Sequence, residues 1–344
     1  MNRCRLLALF LCAPLIFGGA LAARPSAGIA SGPEPASQEM RALTAATGAD
    51  GWLWAVWETE TNASVDLEYG RWDGKAWESA VPVHRRTDAW DRAPSLAIAA
   101  GGTPWLAWAS SQRDEPGTSR LYVSRWTGHL WTEPEPVPLG QALAAKEPVL
   151  ASAPDGGLWL AWVGFDGNDD EIFASQWDGA SWSLPWQVSA DDEDPSRYDR
   201  QPRIAVGQDG HPWVVWTGHQ SGPDDEIYAS HWSGTGWTPE TAISHDDDAL
   251  DVTPTLALDA EGQPWVAWRG RATVGEHSRL RIFVSHWQSS RAAWTNETAA
   301  GAPLSQTVDE ENPLLVRGPQ DSMHLTWTVR GASGSAIATS QWQD

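Results

Sequence analysis

The chain has 344 residues, of which 45 are Asp or Glu and 23 are Lys or Arg, so its formal net charge is −22 at pH 7. A surface this acidic repels nucleic acid and anionic lipid, which excludes both as partners and favours cationic or basic ones. The chain also contains 25 tryptophans, and their spacing carries most of the information about its fold.

The N-terminus has the features of a secretory signal peptide. Arg3 and Arg5 precede the mostly apolar run 6–17, and Ala20-Leu21-Ala22 fits a small-x-small cleavage site. The apolar run is too short to span a bilayer as a helix, and no later segment is apolar enough to do so. We therefore predict a signal peptide over residues 1–22, a secreted or periplasmic protein, and no membrane span.

Both cysteines, Cys4 and Cys12, lie inside this signal peptide. The mature chain would therefore contain no disulfide, and its stability would come from packing. Residues 23–39 are rich in proline and small residues, which is typical of a leader with little structure of its own.

A tryptophan phrase then recurs along the chain. Gly-Thr-Pro-Trp-Leu-Ala-Trp ends at Trp108, and similar phrases end at Trp162, Trp216 and Trp268. Weaker copies end at Trp57 and Trp327. The closing tryptophans are Trp57, Trp108, Trp162, Trp216, Trp268 and Trp327, which gives steps of 51, 54, 54, 52 and 59 residues. Self-similarity at about 50 residues is typical of propellers, solenoids and arrays. Because these rings recur at equivalent positions, we expect Trp108, Trp162, Trp216 and Trp268 to be core residues.

Each unit contains four short β patterns. In the second unit these are the proline-led run Pro94–Ile98, the tryptophan phrase, the phrase Leu121–Trp126, and a segment that begins at Trp131 after a tight turn. No segment has a sustained helical period. Four strands in each of six units predict an all-β fold, a six-bladed β-propeller with four-stranded antiparallel blades over residues 40–344.

The last unit is incomplete, because the chain ends just after its third-strand phrase, Ile337–Trp342. We therefore expect an N-terminal segment, at about residues 28–32, to supply the missing fourth strand and close the ring.

One turn carries a family resemblance. Residues 175–182 read Ser-Gln-Trp-Asp-Gly-Ala-Ser-Trp, which resembles the Asp-box (BNR repeat) of sialidase-like propellers, Ser-x-Asp-x-Gly-x-Thr-Trp. Trp177 stands where the family has Asp, and Asp178 comes one position later, so the repeat is degenerate. Residues 40–344 resemble bacterial secreted propellers with such repeats. The resemblance implies the fold but not the function, since hydrolases, lectins and proteins of unassigned role share it.

Acidic residues concentrate in the loops that would open on one face of the propeller. Loops between second and third strands supply Asp166, Asp169, Asp170, Glu171, Asp224, Asp225 and Glu226, and the interblade loops supply the acidic runs 191–194 and 246–248. Hard cations prefer several oxygen ligands, so Ca²⁺ is a possible cofactor, with Asp166, Asp169, Asp170, Asp224 and Asp225 as candidate ligands. The alternative is a solvated acidic surface.

A second pattern precedes the first-strand prolines. An acid lies three residues before the proline as Asp91, Asp199, Asp251 or Glu310. In two units an aromatic residue precedes this acid and an arginine follows it, as Trp90-Asp91-Arg92 and Tyr198-Asp199-Arg200. An aromatic plane beside a carboxylate and a guanidinium is a common way to hold a sugar. The candidate ligand-binding residues are therefore Trp90, Asp91, Arg92, Tyr198, Asp199, Arg200 and Asp251. The alternative is that each acid bonds to neighbouring backbone in the blade crossover, with the arginine paired to it.

We expect a monomeric, non-catalytic propeller that binds a glycan, or a cationic or basic ligand. One alternative is a sialidase-like glycoside hydrolase, because Arg92-Ala93-Pro94 and Arg200-Gln201-Pro202 resemble the Arg-x-Pro motif of sialidases. The remaining sialidase arginines and the Tyr/Glu pair have no matching positions, so no catalytic residue is assigned. A second alternative is a protein-interaction scaffold.

Overall fold

The computed structural model describes residues 39–61, 64–84, 89–112, 115–190, 197–219, 224–245, 249–274, 277–301, 308–332 and 334–342. The expected signal peptide and closing strand lie outside these residues. Within them the regular structure is β, apart from one turn of 3-10 helix at Pro319–Asp321. None of the helical structure in this part of the chain is long and apolar enough to cross a membrane.

The strands form consecutive antiparallel groups. The first three groups are β1 Glu39–Thr47, β2 Leu53–Glu60, β3 Val65–Trp72 and β4 Val81–Pro82; β5 Ala89–Ile98, β6 Pro104–Gln112, β7 Glu115–Arg125 and β8 Glu135–Pro136; and β9 Ala144–Ser152, β10 Leu158–Phe165, β11 Asp170–Trp177 and β12 Trp186–Gln187.

The remaining groups are β13 Tyr198–Val206, β14 Pro212–His219, β15 Glu226–His231 and β16 Thr241–Ala242; β17 Val252–Leu258, β18 Pro264–Val274, β19 His277–Gln288, β20 Ala293–Trp294 and β21 Thr298–Ala299; and β22 Val308–Arg317, β23 Met323–Gly331 and β24 Gly334–Trp342.

Within each group the strands pair antiparallel in chain order, except that β20 and β21 of the fifth group both pair with β19. The first two groups are joined by one parallel pair, Val65 with Trp90. The first strand of each group contacts the first strand of the next, in the order β1, β5, β9, β13, β17 and β22. The last group has three strands in the described part of the chain, as its sequence predicts.

The fourth strands differ from the prediction. Trp131 pairs with Trp126 only as an isolated bridge, and β8 begins four residues later and is two residues long. The turn between the two tryptophans is held by the Ser124 hydroxyl, which donates to the carbonyl oxygen of Thr132 over 2.7 Å. Ser175, Ser230 and Ser285 make the same bond in the next three groups, so this side-chain contact replaces the first part of the fourth ladder there.

Every first strand carries a bulge at an equivalent position. The bulged residues have φ between 46° and 57°, a left-handed conformation that is strained for a side chain with a Cβ, and they are Ala42, Ala93, Glu147, Gln201, Thr253 and Asn312. Their steps of 51, 54, 54, 52 and 59 residues repeat the tryptophan steps. Successive bulges also bond to each other, since the Gln201 N–H donates to Glu147 over 2.8 Å and the Thr253 N–H donates to Gln201 over 3.0 Å.

The core lies between groups and is rich in tryptophan. Trp108, Trp162, Trp216 and Trp268 have no exposed surface, which confirms that they are core residues. Each packs against aliphatic side chains of its own cluster. The connections between strands lie at the two ends of the strands and form two faces. We call the end where first strands begin and second strands end the loop face, and the opposite end the turn face.

Candidate functional site

The best organised polar cluster on the loop face lies in the fourth group, at Tyr198, Arg200, His219 and Asp225. The Tyr198 hydroxyl donates to Asp225 over 3.1 Å, and His219 Nδ1 lies 3.0 Å from the same carboxylate oxygen. The Arg200 guanidinium donates to the other oxygen of Asp225. Three side chains therefore converge on one carboxylate.

The strand geometry explains this convergence. Tyr198 and Arg200 are two residues apart on β13, so their side chains leave the same face of the strand. Tyr198 is the register partner of His219 on β14, and the two rings stack with centroids 5.1 Å apart and planes 7° apart. Asp225 immediately precedes β15, the next strand of the sheet.

Burial differs sharply among the four side chains. The Asp225 side chain is 4% exposed, whereas those of His219 and Arg200 are 24% and 36% exposed. Burial, and then the nearby Asp225 charge, raise the pKa of the Tyr198 hydroxyl, which keeps it a neutral donor. Asp225 thus acts as a buried anchor that holds an open guanidinium and imidazole in fixed positions.

A second aromatic and arginine pair lies at the start of β5. The Arg92 guanidinium carbon lies 5.6 Å from the centre of the Trp90 ring, as Arg200 lies 5.1 Å from the Tyr198 ring. The side chain of Arg92 is 41% exposed, and its nitrogens lie 3.7 Å from Glu58 and 3.9 Å from Glu60. Trp90 is partly exposed. The predicted repetition of this pair is therefore present in the geometry.

The acids three residues before the first-strand prolines point the other way. Asp91, Asp199 and Asp251 are 1%, 4% and 5% exposed. Trp108 donates its indole N–H to Asp91 over 3.1 Å, and Trp327 donates to Glu310 over 2.9 Å. Glu310 also accepts from the backbone N–H of Ile282 in the preceding group over 3.0 Å, which is the kind of backbone contact that the crossover alternative expects. The buried Asp91 and Asp199 thus position the aromatic and arginine residues beside them.

Asp199 also lies beside a second buried acid. Asp199 lies on β13 and faces Glu171 and Ser189 of the third group. The Ser189 hydroxyl donates to Glu171. Burial raises the pKa of Asp199 to about 7, although the polar groups of Ser189 and Trp216 nearby act in the opposite direction. Asp199 therefore holds its proton to a higher pH than an exposed aspartate does.

The predicted calcium ligands of the third group have other partners. Asp166 accepts hydrogen bonds from the backbone N–H groups of Asn168, at 2.8 Å, and Asp169, at 3.3 Å. Asp170 forms an ion pair with Lys146 at 2.6 Å. Asp169 is 6% exposed. The loop is thus organised by its own backbone and by a lysine.

In the fourth group, Asp225 anchors the cluster described above, and Asp224 is 5% exposed. No group of three or more His, Cys, Asp or Glu side chains in the described ranges is placed to hold a metal ion. The acidic runs 191–194 and 246–248 lie outside the described residues. The Ca²⁺ site therefore stays a prediction.

The repeated sequence pattern places Tyr198 and Arg200 together but does not join them to His219 and Asp225. Asp225 is predicted as a metal ligand because it lies in an acidic run. The only sequence feature that links it to His219 is that both residues border one loop between second and third strands, which no motif identifies.

No protein-family model matches the chain, and no curated protein matches it in sequence. Solved structures do resemble it. A protein of unknown function from Dyadobacter fermentans DSM 18053 superposes with a TM-score of 0.62 at 13% identity, over 88% of this chain and 94% of that chain. The NanB sialidase from Streptococcus pneumoniae gives 0.58 at 9% identity, over 89% and 68%.

A polysaccharide lyase, the PL25 ulvan lyase bound to a GlcA(1-4)Rha3S saccharide, gives a TM-score of 0.60 at 10% identity, over 87% of this chain and 79% of that chain. At such low identity these likenesses bear on the fold alone. With the repeated four-stranded antiparallel sheets, they show that the chain has a sialidase-like propeller fold.

Proposed function

We propose that this chain is a six-bladed β-propeller, closed by residues 28–32 as the last fourth strand, that binds a glycan on its loop face without transforming it. The six equivalent bulges support six blades. The exposure of β24 supports closure, because Ile337 is 52% exposed while the residues of the equivalent strand β11 are mostly buried. A strand added along β24 would cover this surface.

The observation that carries glycan binding is the anchoring of Arg200, Tyr198 and His219 by the buried carboxylate of Asp225. Sugar hydroxyls bond well to a fixed guanidinium and imidazole, and the apolar faces of sugar rings pack on aromatic surfaces. Trp90 and Arg92 supply a second such pair on the same face. The neighbouring folds include a sialidase and a polysaccharide lyase, which is consistent with a carbohydrate ligand.

A glycan array probed with the mature chain, residues 23–344, tests this function. We expect retention of one or more glycans, and we expect Arg200→Ala to weaken it about tenfold. Arg330→Ala is the matched control, because Arg330 is also a loop-face arginine in an ion pair, with Glu311 at 3.1 Å. No retained glycan contradicts the function, and equal loss in both variants contradicts the site.

Cleavage of a glycan is the second candidate, and the His219–Asp225 pair favours it. The carboxylate binds Nδ1 of the imidazole, which leaves Nε2 for proton transfer beside the Tyr198 hydroxyl. Turnover of fluorogenic glycosides, sialosides included, or release of an unsaturated uronate, tests it. Activity lost in His219→Gln would replace the non-catalytic proposal, whereas binding without turnover supports it. A pulled-down protein released by salt, with no glycan bound, would support a scaffold.

Secretion through a cleaved signal peptide over 1–22 and Ca²⁺ binding on the acidic loops complete the proposal. N-terminal sequencing of the exported protein tests the first. For the second, calorimetry with Ca²⁺ added to chelator-treated protein is decisive, because an ion bound to the folded state raises its melting temperature.

A further inference from the structure

The turn face holds a cavity of about 530 Å³ between the fourth and fifth groups. Its walls come from two turns between first and second strands, which carry Asp209, His211 and Glu261, and from the ends of β14, β15 and β19, which carry Trp213, His231 and Trp287. A smaller cavity of about 200 Å³ adjoins it through shared residues Gly207, Gln208 and Gly262. The loop-face cluster of Tyr198 and Arg200 lines neither cavity.

Trp213 differs from its counterparts in the other units. The equivalent rings are buried, with exposures of 4%, 6%, 1% and 6% at Trp54, Trp105, Trp159 and Trp265. Trp213 is partly exposed, and it faces the cavity together with partly exposed Trp232 and Trp287. Its ring lies 5.6 Å from Trp287. Among the five equivalent tryptophan rings, Trp213 is therefore the one that the fold leaves partly exposed.

The polar lining is acidic. The side chain of Asp209 is 67% exposed and lies 3.3 Å from His211, and Glu261 is exposed. The ring of His231 stacks on Trp213 at 4.4 Å, and burial, followed by the neighbouring His211, lowers the pKa of His231, so the imidazole is neutral at pH 7. Neither lysine nor arginine lines the larger cavity.

The smaller cavity does contain a cation, Arg317, but this guanidinium is occupied by Asp321, to which its Nε donates over 3.0 Å. The combined lining thus offers aromatic surface, carboxylate acceptors and two imidazoles, and its one guanidinium is paired. Vicinal hydroxyls suit such acceptors, and an apolar ring face suits the indoles. A carboxylated or sulfated sugar would meet like charge.

We propose that this cavity is a second saccharide-binding site, separate from the loop-face site, that takes an uncharged hexose unit. The carboxylates of Asp209 and Glu261 accept hydrogen bonds from its hydroxyls, and Trp213 and Trp287 pack against its ring. The adjoining cavity extends the groove, so a short oligosaccharide fits better than a monosaccharide.

Calorimetric titration with neutral tetrasaccharides of glucose, galactose and mannose tests the proposal, with a tetrasaccharide of galacturonate as the charged probe. We expect at least one neutral probe to bind and the charged probe to bind at least about tenfold more weakly. Asp209→Asn combined with His211→Ala should weaken the neutral probe about tenfold, and Trp213→Ala should do at least the same.

Asp155→Asn is the matched control, because Asp155 caps the equivalent turn of the third group, where its carboxylate accepts from Gly157 N–H over 2.9 Å as Asp209 accepts from His211 N–H over 3.0 Å. It should bind as the wild type does. Asp209 and His211 are exposed, so their variants stay folded even if Trp213→Ala does not.

Failure of all neutral probes to bind overturns this site, and so does equal binding by the wild type and the Asp209/His211 variant. Arg200→Ala separates the two sites. It should leave the neutral titration unchanged, and loss of this titration in Arg200→Ala would place the saccharide on the loop face instead.

Discussion

Trp108 donates its indole N–H to the buried carboxylate of Asp91 over 3.1 Å, across a spacing of 17 residues. Trp327 and Glu310 repeat both the bond and the spacing. The second oxygen of Asp91 lies 2.9 Å from His84 Nε2, and the His84 ring stacks on Trp108. A single acid therefore fixes the start of a first strand to the core tryptophan of the same unit, and it directs Trp90 and Arg92 outward.

Replacing Asp91 with alanine should destabilise the protein by about 2–3 kcal/mol, because the buried indole N–H of Trp108 loses its acceptor and the mostly buried side chain of His84 loses its carboxylate neighbour. Asp91→Asn keeps an oxygen for Trp108 and should lose less. Chemical denaturation monitored by circular dichroism measures both. Glu133→Ala, at an exposed position, is the control and should change little. Equal stability of Asp91→Ala and the wild type would show that the contact contributes nothing.

Stability should fall as pH rises from about 4 to about 7, in part through Asp199. Folding raises the pKa of this group to about 7, so the folded state holds the proton more tightly than the unfolded chain. The stability that this protonated carboxyl group contributes is fully present below its unfolded pKa of about 4. It is lost as pH rises through the folded pKa of about 7, a change of about 4 kcal/mol in the free energy of unfolding.

Asp199→Asn mimics the protonated form and should flatten this dependence. Melting temperatures at pH 5 and pH 8 measure it, and the difference between them should shrink in Asp199→Asn but not in Glu135→Gln, whose side chain is exposed. An unchanged difference in Asp199→Asn would mean that this carboxyl group is ionised throughout the range.

A side chain branched at Cβ should cost stability at the Ala93 bulge, although the equivalent bulge of the fifth group holds Thr253. The φ of 52° at Ala93 is strained for any residue with a Cβ, and most strained for one branched at Cβ. Ala93→Val should lower stability by about 1–3 kcal/mol. Ala93→Gly relieves the strain but adds freedom to the unfolded chain, so its midpoint in urea should stay close to that of the wild type. Equal losses in both variants would indicate packing and not backbone conformation.

Removing residues 24–36 should lower the melting temperature by about 5–10 °C, because β24 would lose the strand proposed to pair with it. Replacing residues 28–32 with a Gly/Ser segment of equal length should have the same effect, which separates strand pairing from chain length. Differential scanning calorimetry measures both. A melting curve that neither change alters would rule out closure by this segment.

The tryptophan steps predicted the repeated units and the core because a large ring that recurs at one strand position is buried in each unit, as Trp108, Trp162, Trp216 and Trp268 are. The short fourth strands were not predictable to the same degree, since β8 and its equivalents are two-residue ladders beside turns held by serine side chains. The bulges left no composition pattern, because Ala93, Gln201 and Thr253 share a backbone conformation but no side-chain chemistry.

The candidate sites were predictable in part. The repeated phrase identified Tyr198 and Arg200 because they lie shortly before Pro202, the recurring first-strand proline of that unit. It could not indicate that the intervening Asp199 turns into the core, which depends on the period-two alternation of β13. The exposure of Trp213 was equally inaccessible, since its phrase matches those of Trp105 and Trp265 and only the packing of neighbouring units differs.

The most direct test of glycan binding on the loop face is diffraction from crystals of the mature chain soaked with the glycan that the array identifies. The expected result is a sugar residue whose hydroxyls bond to Arg200 and His219, or whose ring packs on Trp90, with Asp225 still bonded to Tyr198. Density for the glycan that contacts none of Trp90, Arg92, Arg200 and His219 would contradict it.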